Sequence, residues 1–433
     1  MSSKPTKIDQ AWENLFDTYN ILEHVDAGNI FRISSKQIND VHQARLMAKF
    51  DQSTQLPRIF RDNYLSILPI TKGNYLIGPF RTHEKVEYPT VKPDPIGIPP
   101  LEIPLQTIDT KNLYSESAVL SFAYNSGIIK NIMNSNEVRF TVSGRMMSGK
   151  FSYSIENQNF AQSPIFIDVE NAQIEIDAGF ESPEAFVICE AKNQASEELL
   201  IRQLYYPYRL WSGKISKPVV PVFLAFSNDI FHVFIYEFAD PLNYNSITLK
   251  DYREYMFANE EILLQDIIEL WRSTPVIPNS GTPFPQADSF PRVLDLLSVL
   301  HEEELTRSEV TMKYEFDPRQ TNYYVSACEY LGLVERFSIG ENRRRYRLTA
   351  EARSIMSLPY KDKHLALIKK ILERPVFHEA FGTVANGHGL PDKNEICRIM
   401  KLAAVPVSDT TIRRRASTVH GWLEWMIRIS VAD

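Results

Sequence analysis

Residues 173–192 read QIEIDAGFESPEAFVICEAK. Gln173 to Asp177 alternates polar and apolar residues, the period of a half-buried strand. Ala178-Gly179 and Ser182-Pro183 mark turns. Ala185 to Cys189 is a second apolar run of core-strand length. Two such strands joined by a short loop bring Asp177 close to Glu190 and Lys192. The latter two are two positions apart, so on a strand they share a face. Carboxylates suit a hard divalent cation such as Mg²⁺, which takes one or two of them with phosphate oxygen and water. A nearby ammonium can orient the attacking water and stabilise charge on a phosphate. The same spacing also describes a solvated strand end with a surface ion pair, so the neighbouring segments have to decide.

They read strand, loop, strand, helix, strand. Ser196 is a candidate N-cap for a helix over 197–211, with Pro207 expected to kink it or end it early. Leu199, Gln203, Tyr206 and Leu210 fall on one stripe. Segments 219–226 and 230–236 are two further strands. This order, with Asp177 followed by Glu190-Ala191-Lys192, resembles the core of the PD-(D/E)XK nuclease superfamily. The Pro usual before the first Asp is replaced by Ile176. With AQIEIDAGFE, ICEAKN, RQLYYPYRLW, QARLMAKFD and LSILPI, the chain is more specifically similar to a type II restriction endonuclease over most of its length.

The resemblance implies an α/β fold: a restriction-endonuclease-like mixed sheet flanked by helices, a small N-terminal α+β domain, and a C-terminal winged helix-turn-helix and helical region. It implies Mg²⁺ held by Asp177 and Glu190, with Lys192 orienting water. Gln203 and Tyr206 take accessory polar positions. Glu116, at the start of a helix predicted over 116–133, matches the acidic residue of the superfamily's first helix. A Glu favoured there by the helix dipole alone is the competing reading. Glu175 is a reserve ligand.

The chain has 433 residues, 44% hydrophobic and 23% charged, the composition of an ordinary globular protein long enough for several domains. No apolar run approaches membrane-helix length, and the start lacks a signal-peptide core. Cys189, Cys328 and Cys397 suggest neither disulfides nor a zinc site and fit a reducing cytoplasm. No P-loop pattern appears, so no NTP is expected. Net charge is −7. Residues 301–433 hold 21 Lys+Arg against 18 Asp+Glu, leaving 26 against 36 in residues 1–300. The basic bias therefore sits in the last third.

The expected layout is an N-terminal α+β domain over 1–85, a Pro-rich connector over 86–105, a nuclease domain over 106–274, and a linker over 275–288. A winged helix-turn-helix follows over 289–358 and a helical domain over 359–433. In the first domain, helices are predicted over 11–21 and 36–49, and strands around a Lys72-Gly73-Asn74 turn. Segments 138–148 and 151–155 read as a hairpin-like pair, with Arg145 a phosphate contact. A polar helix is expected within 244–263. In the winged helix, Arg319, Gln320, Asn322 and Tyr323 lie where recognition helices reach base edges. Arg343, Arg344, Arg345 and Arg347 form a wing suited to phosphate; a protein-interaction winged helix is the alternative. Arg413 and Arg414 belong to a second basic cluster on a helix capped by Ser408.

The expected function is Mg²⁺-dependent, sequence-specific cleavage of double-stranded DNA by a homodimer. One rival is a modification-dependent or repair nuclease; another is a DNA-binding regulator with an inactive nuclease fold.

Overall fold

A computed structural model describes residues 6–26, 29–89, 95–99, 101, 103, 105–110, 112–113, 115–158, 163–257, 261–278, 281–313, 318–338 and 344–431. Its centre is a seven-stranded mixed sheet. The elements building it are β1 (Ile96–Ile98), α1 (Glu116–Asn125), α2 (Ile128–Met133), β2 (Arg139–Met147), β3 (Gln173–Glu181), β4 (Phe186–Lys192), α3 (Arg202–Ser212), β5 (Val219–Ser227), β6 (Ile230–Phe238) and β7 (Ile247–Phe257). The strand order is β1-β7-β6-β5-β4-β3-β2. β2, β3 and β4 form an antiparallel meander. α3 then crosses over so that β5 runs parallel to β4.

Both faces of this sheet are covered, which explains its sequence. Val119, Phe122 and Ala123 of α1 pack on Val187, Cys189 and Ala191 of β4. Leu204, Tyr205 and Leu210 of α3 pack on Phe223 and Ala225 of β5. A strand buried on two faces reads as a near-continuous apolar run, and all seven residues of β4 are buried.

The predicted helix over 116–133 is two helices. Gly127 adopts φ +86, a left-handed conformation that interrupts the run and that a residue bearing Cβ resists. The expected pairing of 138–148 with 151–155 does not form. Arg139–Met147 pairs with β3, and Lys150–Ile155 pairs with Ile165–Glu170 as a separate hairpin. The polar helix expected within 244–263 is strand β7, held by β6 on one side and by β1 on the other. The Pro-rich connector thus supplies an edge strand. The first turn of the helix predicted over 197–211 is instead the strand Glu198–Leu200, paired with His83–Lys85. Ser196 is not an N-cap; its hydroxyl donates to the Glu198 carbonyl at 2.7 Å. Pro207 lies inside α3, which continues to Ser212.

The N-terminal unit packs around Trp12, Phe16 and Phe60. Its Ser66–Thr71/Asn74–Gly78 hairpin turns at Gly73, φ +88. The predicted 36–49 helix is two short ones, Ser35–Asn39 and Ala44–Met47.

C-terminal to the sheet come α4 (Phe290–Glu302), α5 (Arg307–Lys313), α6 (Pro318–Tyr330), β8 (Val334–Ser338) and β9 (Arg344–Leu348). β9 lies between β8 and the short strand Leu305–Thr306. Five more helices follow, ending in Asp409–Arg428. Ser408 precedes that last helix with extended backbone, but its side chain caps no backbone N–H. One core joins all these elements to Ile262 and Ile267. The end of the expected 275–288 linker is packed: Phe284 stacks on Phe377, and Trp422 donates to the Ala287 carbonyl. Among the described residues no helix is long and apolar enough to cross a membrane.

Candidate active site

The strand pairing itself opens the site. The β3–β4 ladder runs from Phe186↔Glu181 to Cys189↔Ala178 and stops there. The next position on β3 is Asp177. Its carboxylate, not a backbone carbonyl, accepts the Ala191 N–H at 2.9 Å. The two strands part at that point, and the Asp177 carboxylate sits between them against the backbone that separates Glu190 from Lys192.

Glu190 and Lys192 are 5% and 7% exposed. Charges so deeply buried are costly unless paired, and these are paired: Lys192 Nζ donates to Glu190 Oε1 at 3.0 Å. It also donates to Glu116 Oε1 at 3.2 Å. Glu116 is the first residue of α1, presented there because Ser115 caps the helix through the Ala118 N–H. From the opposite layer, Gln203 in the first turn of α3 donates its amide to Glu190 Oε1. Asp177, Glu190, Lys192, Gln203 and Glu116 are therefore brought together.

The electrostatics are unbalanced toward negative charge. Burial holds the Glu190 carboxyl well above the usual carboxylate range; Lys192 pulls it down, while Asp177, Glu116 and Asp51 push it up. Burial also raises Glu116, with Lys192 opposing and Asp177 adding.

Asp51 was not anticipated. Its side chain is 11% exposed, and Oδ2 lies 3.9 Å from Lys192 Nζ. It precedes Asp177 by more than a hundred residues and ends the QARLMAKFD segment, in which the sequence reading gave it no role.

Other expected residues are placed differently. Tyr206 is a core residue, donating to the Pro69 carbonyl and sharing a hydrogen bond with Tyr153. Glu175 is half-exposed and bound to Arg145 at 3.3 Å, so the two are engaged with each other. Among the described residues, no group of three or more His, Cys, Asp or Glu side chains is gathered to hold a metal ion.

In the C-terminal unit, Asn322 and Tyr323 of α6 are exposed and Gln320 is half-buried. Arg319 lies in the first turn of α6, but its side chain is outside the described residues, as is Arg343 entirely. Arg344 is exposed. Arg345 is turned inward, donating to the Glu304 carbonyl at 3.0 Å. Arg347 pairs with Glu335 at 2.7 Å and lies over the Phe337 ring. The β8–β9 hairpin is thus less basic toward solvent than its sequence. Arg413 and Arg414 are exposed at the start of the last helix. Arg415 beside them donates to Gln286 and lies within electrostatic reach of Tyr323. That brings the last helix and α6 to one side of the unit.

This unit is clasped to the strand end that carries Lys192. Asp295 of α4 accepts from the Ala195 N–H at 3.2 Å and from the Ser227 hydroxyl at 3.1 Å. Burial pushes the Asp295 carboxyl up to about 7. Lys363 and Asp229 form a buried ion pair at 2.7 Å.

Three family models match the chain, each described as a domain of unknown function: DUF6996 over residues 9–77, DUF6997 over 78–256, and DUF7226 over 292–431. No curated protein and no solved structure matches. The central match, over residues 78–256, contains Glu116, Asp177, Glu190, Lys192 and Gln203, while Asp51 falls in the match that precedes it.

Proposed function

We propose that this chain is a Mg²⁺-dependent DNA endonuclease of restriction type, built on a PD-(D/E)XK core. The observation carrying this reading is the burial of Glu190 and Lys192 at the end of a strand otherwise packed on both faces. A buried ion pair is weak support for stability, since apolar residues of similar volume serve the fold as well or better. Ionisable groups buried in company with Asp177, Glu116 and Gln203 are what a catalytic centre needs. The meander β2-β3-β4, the crossover α3 and parallel β5 follow the superfamily's element order, with α1 preceding them.

The residues fit the metal. Asp177 and Glu190 offer hard oxygen donors of the kind Mg²⁺ takes, and the negative excess around Glu190 is what a divalent cation would relieve. When bound, the ion lowers the pKa of a water and offsets charge on the attacked phosphate. Lys192 then orients that water and stabilises the developing charge. Gln203 fixes the Glu190 carboxylate through its amide. Glu116 holds Lys192 from the α1 side.

The α4–α6 bundle with β8 and β9 suits a winged helix reading DNA. Asn322 and Tyr323 face solvent for base contact, and Arg344, Arg413 and Arg414 are exposed for phosphates. Cutting both strands calls for two such sites, hence a homodimer.

The test is digestion of a sequenced plasmid with Mg²⁺ and with EDTA. Discrete fragments with Mg²⁺ alone support the reading, and Lys192→Ala should abolish them while leaving DNA binding nearly unchanged. Cleavage restricted to methylated or damaged substrate would favour the modification-dependent or repair nuclease. DNA binding without cleavage under any divalent metal would favour a regulator on an inactive fold.

A further inference from the structure

We infer that Asp51, supplied by the N-terminal unit, is a positioning residue of this site that acts on the Lys192 ammonium. The inference rests on the nuclease reading of that centre. Lys192 Nζ is approached by carboxylates from three separate places: Glu190 on its own strand at 3.0 Å, Glu116 at the start of α1 at 3.2 Å, and Asp51 at 3.9 Å. Asp51 and Glu190 are about as buried as Lys192, with side chains 11% and 6% exposed against 9%, whereas Glu116 is 43% exposed. Water screens Glu116 most, so Asp51 is the better shielded of the two carboxylates available once Glu190 turns to a metal.

The loop bearing Asp51 is stapled in place on both sides. The Ser53 N–H and hydroxyl both donate to the Glu198 carboxylate, at 2.7 and 2.8 Å. His83 Nε2 donates to the Phe50 carbonyl at 3.0 Å. Glu198 and His83 begin the two short strands that pair with each other. The N-terminal unit is therefore fastened to the nuclease core at the residues flanking Asp51, and Lys49 lies 3.5 Å from the same carboxylate.

Asp51→Asn keeps shape and removes charge. If the nuclease reading holds, it lowers kcat about 10- to 100-fold, the range typical of groups that orient a reacting side chain, with KM for DNA unchanged. Asp51→Glu restores part of the rate. Ser53→Ala, which loosens the staple, lowers kcat in the same way, and the double variant Asp51→Asn/Ser53→Ala loses less than the two singles added. DNA binding measured in Ca²⁺ stays at the wild-type level throughout. Wild-type cleavage with an unchanged kcat in Asp51→Asn overturns this role and leaves the nuclease reading standing. A wild-type chain that cuts no DNA with Mg²⁺ or Mn²⁺ overturns both. A drop in DNA affinity equal to the drop in rate overturns the positioning role, because it marks a structural or DNA-contacting residue.

Discussion

Replacing Lys192 by methionine keeps most of the stem volume and removes the ammonium from a pocket of carboxylates. At 3.0 Å from Glu190, the lost attraction is about 5 kcal/mol at an effective dielectric near 20. Removing one partner of a buried pair ordinarily costs about 3–5 kcal/mol. Here the loss has a ceiling set by pH, because Glu190 can escape by taking up a proton. Relative to an unfolded carboxyl near 4.3, that escape costs about 1.4 kcal/mol per pH unit above it. The ceiling is therefore about 4 kcal/mol at pH 7 and about 1 kcal/mol at pH 5. The wild type already bears part of this cost, since burial holds its Glu190 carboxyl high even beside Lys192.

The sign follows from proton linkage. Between its unfolded and its raised folded pKa, Glu190 binds more proton in the native state, so stability falls as pH rises through that window. Lys192→Met widens the window upward. Urea denaturation of wild type and variant side by side should show a difference of about 2–4 kcal/mol at pH 7.5 and under about 1 kcal/mol at pH 5. Equal destabilisation at both pH values, or none at either, would mean that the carboxylates around Lys192 are not electrostatically joined as the geometry has them.

Asp295, held up to about 7 by burial, obeys the same sign: its contribution is full below the unfolded carboxyl range and is lost as pH rises toward 7. Asp295→Asn should flatten that slope, so the variant's midpoint relative to wild type improves between pH 5 and pH 8 in chemical denaturation. Gly421→Ala places a Cβ 2.2 Å from the Asp288 carbonyl oxygen, a backbone clash that no rotamer change relieves; a loss of about 1–3 kcal/mol is expected, read as a lower Tm. If the proposed DNA binding holds, Arg344→Ala, at an exposed position of β9, should weaken it by a similar factor on all sequences and reduce the slope of log affinity against log salt by about one.

The central motif was legible because two periodicities coincide in it. Alternation marks β3, an uninterrupted apolar run marks β4, and the period of two puts Glu190 and Lys192 on one face. The α3 crossover followed from a helical stripe bearing Gln203. What stayed hidden was pairing. Lys150–Ile155 has strand composition, but nothing local says that Ile165–Glu170 rather than Arg139–Met147 is its partner. Residues 247–257 carry four charged side chains, and only the edges of β6 and β1 make them a strand. Tyr206 shares the α3 stripe with Gln203 yet faces the hydroxyl of Tyr153, because the hairpin that covers it is a tertiary neighbour. Asp51 lay beyond reach for the same reason: its role comes entirely from where the N-terminal unit docks.

That docking and the C-terminal clasp meet on one segment. Residues 193–200 leave the strand that ends in Lys192, and each flanking unit grips them. The N-terminal unit holds Glu198 through Ser53. The C-terminal unit holds Ala195 through Asp295 and Glu197 through Arg292. Asp295 also binds Ser227, at the end of the strand parallel to β4. Proximity of this kind carries no coupling energy by itself. It does fix what a displacement must break. Any rigid-body movement of helices α4–α6 relative to the sheet either drags the exit of β4 with it or ruptures the buried Asp295 contacts. A buried carboxyl stripped of its donors is expensive, so dragging is the cheaper course. Lys192 is three residues from the dragged point, on a strand packed on both faces. The side chains that would feel such a movement first are therefore those around Lys192, on which the proposed chemistry rests.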